Sequence, residues 1–399
     1  MAIFIDPPTW PGHGRLWSHM ISDTAYAELH DFAASVGIPP RAFERDHYDV
    51  IADRYEVVVA AGARPATSRE IVALLHQAGL RRRHRSVLAP PLGRFWPRPL
   101  ATGDLVAVVS PSGPVAPERL EPGVVLLESW GLRVRLSPRV LGSYRPLTYL
   151  AADDQDRAAD LTATWTDPEV AAVWAARGGY GAQRMVDLVD WSAVRAAGPK
   201  TFVGFSDITA LHARLGRDLD QVTVHGPVLG SVDQLADPET VRALRSMIMD
   251  PPAAGARLAA GRSAVPGVGQ GRLVGGNLSL VAADVGVEPP PEVSAVAVFE
   301  DVGEDGYRID RMLTQLLRSR WFDQVRGVVV GEFSPVPGAS PISSGLAAAV
   351  IADRLERLRI PVLTEVAVGH GSRNLALPLG AAVTLAAGPP GTPGTLTLA

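Results

Sequence analysis

The apolar positions of the chain change period several times, and each change predicts an element. "AIFID" (2–6) reads as a strand, and from Ser22-Asp23 onward Tyr26, Leu29, Ala33 and Val36 recur at helical spacing. Thr67 followed by Glu70 matches a capping box that opens a second helix, with Ile71, Leu74, Leu75 and Ala78 on one face and Gly79 as its stop. The stretch "RRRHRSVLAPPLGRFWPRPLATGD" (81–104) has arginines, prolines and glycines without periodicity, as a linker does. Beyond Asp104, the runs "LVAVVS" (105–110), "EVAAVWAA" (169–176), "TFVGF" (201–205) and "VTVH" (222–225) alternate with helical patterns. Apolar strands separated by helices predict a parallel sheet covered on both faces. A Pro-, Gly- and Ala-rich interruption (250–271) comes next, then the strand-like runs "AVAVFE" (295–300), "RGVVVGEF" (326–333) and "AAVTLAA" (381–387). Ile309, Met312, Leu313, Leu316 and Leu317 mark an amphipathic helix among them. The expected organisation is a small α/β domain over 1–85, a linker over 86–100, a doubly wound layer over 101–234 and a mixed α/β domain over 235–399.

At 399 residues the chain exceeds what one core usually holds, which agrees with several domains. Lys+Arg 38 against Asp+Glu 42 leaves a net charge of −4, so nucleic acid is not an expected partner. The run Arg81-Arg82-Arg83-His84-Arg85 reads as solvated linker. Without cysteine there is no disulfide, thiolate nucleophile or Cys-ligated zinc. The opening residues lack a signal-peptide pattern and no apolar run is long enough to span a bilayer. The expectation is a cytoplasmic protein with no membrane partner.

The stretch "PKTFVGFSDITALH" (199–212) sets Ser206 where a buried strand ends and a helix carrying Ile208, Leu211 and Leu215 begins. A serine in that turn presents its hydroxyl at the carboxyl edge of the sheet, beside the free N–H groups of the helix's first turn. The alternative role for Ser206 or Asp207 is a helix cap, and Ile208 replaces the second glycine of a G-x-S-x-G elbow. A serine nucleophile needs a base and a group to orient that base. His370, flanked by Gly369 and Gly371, is a candidate base, whereas His212 and His225 read as structural. Glu300, at the end of an apolar run, is a candidate acid, with Asp301 and Glu304 as neighbours that the residues alone do not separate from it. Arg177-Gly178-Gly179-Tyr180-Gly181 lets backbone N–H groups approach an anion but lacks the Lys-Ser/Thr of a P-loop, and "VAVVSPSGP" (106–114) lacks a G-x-G-x-x-G. Dinucleotide binding is not expected.

The blocks "VAVVSPSGPV", "WAARGGYGAQRMV", "PKTFVGFSDITALH", "VHGPV", "LVGGNLSLV", "VFEDVGEDGYRIDRML" and "VGHGSRNLALPLG", in this order, resemble the LD-carboxypeptidase family of serine peptidases over about residues 100–399. The resemblance implies a Ser206, Glu300, His370 triad, an oxyanion hole from the backbone amides of Gly179 and Asp207, a flavodoxin-like first half, and a homodimer. It requires no metal or other cofactor. It also implies release of terminal D-alanine from a murein tetrapeptide. A related branch hydrolyses peptidyl-nucleotide antibiotics for self-immunity, and segment 231–275 has no aromatic residue to stack on a nucleobase. Arg177, Tyr180 and Arg308, with Arg373, stand near the motifs as candidate substrate contacts, against solvent-facing ion pairing for each arginine. A non-catalytic peptide-binding or sensor protein is the reading from another class.

The front domain, with "FIDPPTWPGHGRLWSHMISD" and "DHYDV", resembles a small bacterial domain of unknown function. His13, His19, His30 and His47 with Asp6, Asp46 and Asp49 supply metal-type donors, against a hydrogen-bonded core as the plainer role. No activity is assigned there.

Overall fold

The structure, a computed structural model, describes residues 2–12, 15–44, 46–78, 80, 93–334 and 341–399. His13, Gly79, the basic run 81–85 and the linker as far as residue 92 lie outside the described residues. The chain divides into two units, Met1–Ala89 and Pro90–Ala399.

In the first unit, β1 (Ile3–Ile5), β2 (Trp10–Gly12), β3 (Arg15–Ser22), β4 (Phe43–Glu44), β5 (His47–Ile51) and β6 (Arg64–Pro65) form one sheet in the order β4-β5-β3-β1-β6, with β2 on β3. Strand alternation sorts its faces. Tyr48 and Val50 of β5 enter the core, while His47 and Asp49 point to the other side, half-buried. Two ten-residue helices, Tyr26–Ser35 and Ser68–Gln77, flank the sheet sequence. The capping box forms: the Glu70 carboxylate accepts from Thr67 N–H at 2.7 Å, and Thr67 Oγ1 accepts from Glu70 N–H at 3.3 Å.

The second unit opens on residues 93–100, whose backbone bonds to Gly380, Asp220 and Ile248. A sheet follows, made of β7 (Leu105–Val109), β8 (Arg133–Leu136), β9 (Val170–Ala175), β10 (Thr201–Gly204) and β11 (Thr223–His225), all parallel. The spatial order β8-β7-β9-β10-β11 is the flavodoxin-like winding. One face of these strands packs on Trp165, Met185 and Leu211, the other on Leu120, Leu127 and Leu244, which is why they read as unbroken apolar runs.

The remaining strands are β12 (Arg257–Val265), β13 (Gly267–Asn277), β14 (Ala295–Val302), β15 (Val325–Ser334), β16 (Val362–Thr364), β17 (Leu377–Leu379), β18 (Ala382–Ala387) and β19 (Pro393–Leu398). All but β17 close into a barrel, β12-β16-β15-β14-β13-β18-β19, while β17 joins the first sheet antiparallel to β11. The segment 250–271, read from sequence as an interruption, instead supplies β12 and the start of β13. Its buried positions are small, such as Ala259 and Ser263, so its alternation carries little hydrophobic contrast. In β14, Val296 and Val298 join one apolar cluster with Leu273, Val329 and Leu385. Ala295, Ala297 and Phe299 face the helix Gly306–Arg318 through Ile309, Leu313 and Leu316. By the period of two, Glu300 falls on the Val296/Val298 face and Asp301 on the other. Among the described residues no helix is long and apolar enough to cross a membrane.

Candidate active site

Ser206 follows β10 after a single residue, Phe205, and begins a short 3₁₀ turn that continues as the helix Thr209–Leu219. Its φ is +65°, a left-handed conformation that costs a non-glycine residue on the order of 1–2 kcal/mol. Thr209 Oγ1 donates to Ser206 O at 2.7 Å to hold the turn. Neighbouring loops close around it. A Cβ on Gly178 would sit 2.9 Å from Ser206 Cβ and 3.0 Å from Oγ, so this glycine admits the serine side chain.

The side chain of Asp207 turns inward. Its Oδ2 accepts from Ser112 Oγ at 2.6 Å and from Ala182 N–H at 2.8 Å, tying three strand-to-helix loops together. Burial raises its pKa against the effect of those bonds. Arg157, 2% exposed, reinforces the cluster by donating to Gly181 O at 2.8 Å and to Pro111 O. The Asp207 side chain, a candidate helix cap from sequence, makes no cap bond and instead forms this tie between loops.

His370 lies in the loop after β16. Gln234 Nε2 donates to Gly369 O at 2.8 Å and Gly371 O at 2.9 Å, and Asn374 Oδ1 accepts from Gly369 N–H at 3.0 Å. Gln234 and Asn374 are buried, which fixes the loop. The imidazole is thereby held between two partners: Nδ1 lies 2.7 Å from Glu300 Oε2 and Nε2 lies 3.1 Å from Ser206 Oγ. A carboxylate can only accept, so Nδ1 carries the proton and Nε2 offers its lone pair to the serine hydroxyl. Glu300 is fully buried, the His370 side chain is 18% exposed and Ser206 is half-buried, so access runs from the serine side.

Burial by itself would raise the Glu300 pKa, but His225 and His370 together pull it down to about 2. For His370, burial favours the neutral ring, yet the bond to Glu300 and its charge prevail and raise the pKa above the ordinary imidazole value. The three acids point in different directions, and Glu300 is the one that meets His370. Asp301 accepts from Asn277 Nδ2 at 3.0 Å and Ser279 Oγ at 2.7 Å, pinning the start of the helix Leu278–Ala283, while Glu304 pairs with Arg308 at 3.6 Å.

The two histidines read as structural divide. His212 Nε2 donates to Gly204 O at 2.8 Å, and burial holds its pKa down to about 3. His225, wholly buried, faces Glu300 Oε1 with Nε2 at 3.9 Å, and among the described residues neither atom has a hydrogen-bond partner. It backs the acid from β11, a role hidden because it ends an ordinary apolar strand.

Among the candidate substrate contacts, Arg177 is exposed beside Gly178 and donates to Pro114 O at 2.6 Å. Tyr180 is 52% exposed and meets Tyr149 edge-on at 5.6 Å. The Arg308 side chain is 51% exposed near Glu304 and Asp305. Arg373 forms a bidentate pair with Asp237, both bonds at 3.0 Å, and is committed there. A cavity of about 190 Å³ lined by His212, Arg217, Arg272 and Trp321 includes none of Ser206, Glu300 and His370.

Residues 106–226 match the LD-carboxypeptidase N-terminal domain, and residues 270–385 match the LD-carboxypeptidase C-terminal domain. Residues 3–78 match a family of proteins of unknown function. A Streptomyces coelicolor protein named "putative carboxypeptidase" is 45% identical over 76% of this chain and 95% of its own. The murein tetrapeptide carboxypeptidase of Pseudomonas aeruginosa is 32% identical over 70% of this chain and 92% of its own. The microcin C7 self-immunity protein of Escherichia coli is 26% identical over 71% and 90%. Among solved structures, the muramoyltetrapeptide carboxypeptidase of Oxalobacter formigenes superposes with a TM-score of 0.63 at 26% identity, covering 73% of this chain and 98% of that one. From about residue 100 onward, the chain belongs to the LD-carboxypeptidase family of serine peptidases, joined to an N-terminal domain of a family without known function.

Proposed function

We propose that the protein is a serine LD-carboxypeptidase that removes the terminal D-alanine of a murein tetrapeptide, with Ser206 as nucleophile, His370 as base and Glu300 as the group that orients and charges it. The hydrogen-bonded series Glu300, His370, Ser206 carries this reading. His370 Nε2 takes the hydroxyl proton as Ser206 Oγ attacks the amide carbonyl, and Glu300 stabilises the imidazolium that results. The oxyanion is received by the backbone N–H groups of Gly179 and Asp207, the second lying in the first turn after the serine, where N–H groups are unspent and carry partial positive charge. His370 then gives its proton to the amine of the leaving D-alanine. Water, deprotonated by the same ring, attacks the acyl-serine and restores the hydroxyl.

Arg177, Tyr180 and Arg308 are proposed substrate contacts. Arg177 flanks the glycine that touches Ser206, where a cation suits a terminal carboxylate. Arg308 shares its charge with two acids, which suits a substrate carrying both signs. Hydrolysis of an aminoacyl-nucleotide amide is the second reading, motivated by the microcin relative. The absence of aromatic residues from 231–275 favours the murein peptide. The deciding experiment incubates the protein with a murein tetrapeptide and, separately, with an aminoacyl-nucleotide amide, and follows products by mass spectrometry. Free D-alanine from the first, absent with Ser206→Ala, supports the proposal. Turnover of the second alone transfers the protein to the other branch.

A further inference from the structure

The first unit builds a second constellation of imidazoles and carboxylates, and its geometry is that of a ligand set. His19 on β3 stands directly across from Asp49 on β5 in the antiparallel register. His47 lies two residues before Asp49, so all three side chains leave the same face of the sheet. His19, His47 and Asp49 each offer one ligand atom within 4.8 Å of the others. His47 Nε2 is 3.3 Å from Asp49 Oδ1.

Behind both imidazoles sits a carboxylate that is itself buried. His19 Nδ1 lies 3.1 Å from Asp6 Oδ2, and His47 Nδ1 lies 2.7 Å from Asp46 Oδ1. Asp6, with no exposed surface, is anchored further by Ser68 Oγ at 2.6 Å and Trp10 Nε1 at 3.2 Å. Each carboxylate accepts from Nδ1, which fixes the proton there and turns Nε2 into a lone-pair donor. Two such donors and the Asp49 carboxylate then converge with electron pairs on every approaching atom. A proton on one ring can relieve the pair His47–Asp49, whereas one shared cation satisfies all three.

We propose that His19 Nε2, His47 Nε2 and Asp49 bind a divalent transition-metal ion of the zinc class, with Asp6 and Asp46 as positioning residues that orient the rings. Two imidazoles and one carboxylate are a borderline donor set that leaves a fourth position for water or substrate. Bonds of about 2.0–2.1 Å place tetrahedral ligand atoms about 3.3–3.4 Å apart. The His47–Asp49 edge already has that length, and the other two edges are no longer than 4.8 Å. The carboxylate behind each imidazole is the outer support that metal-bound histidines commonly have. The site draws nothing from Ser206, Glu300 or His370.

The test titrates untagged, metal-stripped full-length protein with Zn²⁺ by calorimetry and with Co²⁺ by visible absorption. The expected result is saturation at one ion per chain, with a four- or five-coordinate cobalt spectrum. Asp6→Asn should weaken affinity roughly 10- to 100-fold while keeping one ion per chain, and Asp49→Asn or His19→Ala should weaken it further. A merely structural role for Asp6 would lower thermal stability without that graded loss. Since the variants can misfold, the unaltered protein supplies a second readout: Zn²⁺ should protect His19 and His47, but not His30, from acylation by diethylpyrocarbonate. No saturable uptake by the unaltered protein, or uptake that leaves His19 and His47 equally reactive, overturns the site.

Discussion

Two regions of this molecule use one device for different ends. In the first unit the Asp6 carboxylate holds His19 Nδ1 at 3.1 Å, and in the second Glu300 holds His370 Nδ1 at 2.7 Å. Each carboxylate is fully buried, each fixes the ring's tautomer, and each leaves Nε2 as the exposed lone pair. What differs is the group Nε2 meets. His370 meets a hydroxyl at 3.1 Å, which has a proton to give. His19 meets another imidazole and a carboxylate, which offer electron pairs. On the proposed roles, the carboxylate makes a base in both places, and the facing residue decides between moving a proton and sharing a cation.

The strongest way to break that comparison is to remove the facing hydroxyl. Ser206→Ala should lower kcat by roughly 10⁶-fold, as loss of a triad nucleophile does, with an unchanged unfolding curve. Steady-state D-alanine release and calorimetry check the two halves of that statement. Glu300→Gln comes next, with a fall of roughly 10³- to 10⁴-fold in kcat because the tautomer is no longer imposed. It also has a signature in pH. His370 must be neutral to accept a proton, and the Glu300 charge raises its pKa, so kcat/KM should rise with pH through a midpoint above the unperturbed value of about 6.5. Glu300→Gln should carry that midpoint downward. A smaller effect is expected at the back of the acid: His225→Ala, which removes the ring facing Glu300 Oε1 at 3.9 Å, should lower kcat about tenfold with KM unchanged. The smallest is Ser206→Gly, inactive but more stable by about 1 kcal/mol in denaturant unfolding, because glycine accepts a φ of +65° freely.

Much of the fold could be read from the chain because it is written in local contrast. β7, β9, β10 and β11 are apolar runs buried on both faces, and the capping box at Thr67 and Glu70 is a local hydrogen-bond pattern. Barrel closure was not legible, since the pairing of β12 with β19 joins segments more than a hundred residues apart. Small residues in β12 also leave its period faint. At the candidate site the residue types suggested nucleophile and base, but Glu300 and Asp301 are neighbours with identical credentials. The family resemblance singles out Glu300, and strand alternation gives the physical reason, sending one to His370 and the other to Asn277 and Ser279. The same limit hid His225 and the side chain of Asp207, whose partners come from other loops.

The most direct test of the central claim is to catch the covalent intermediate. Mixing the protein with a murein tetrapeptide, quenching in acid within milliseconds and measuring intact and peptide masses should reveal Ser206 bearing the acyl group of the substrate less D-alanine, and no adduct in Ser206→Ala. D-alanine release by the Ser206→Ala protein at the unaltered rate, or an acyl group on any other residue, would contradict the account.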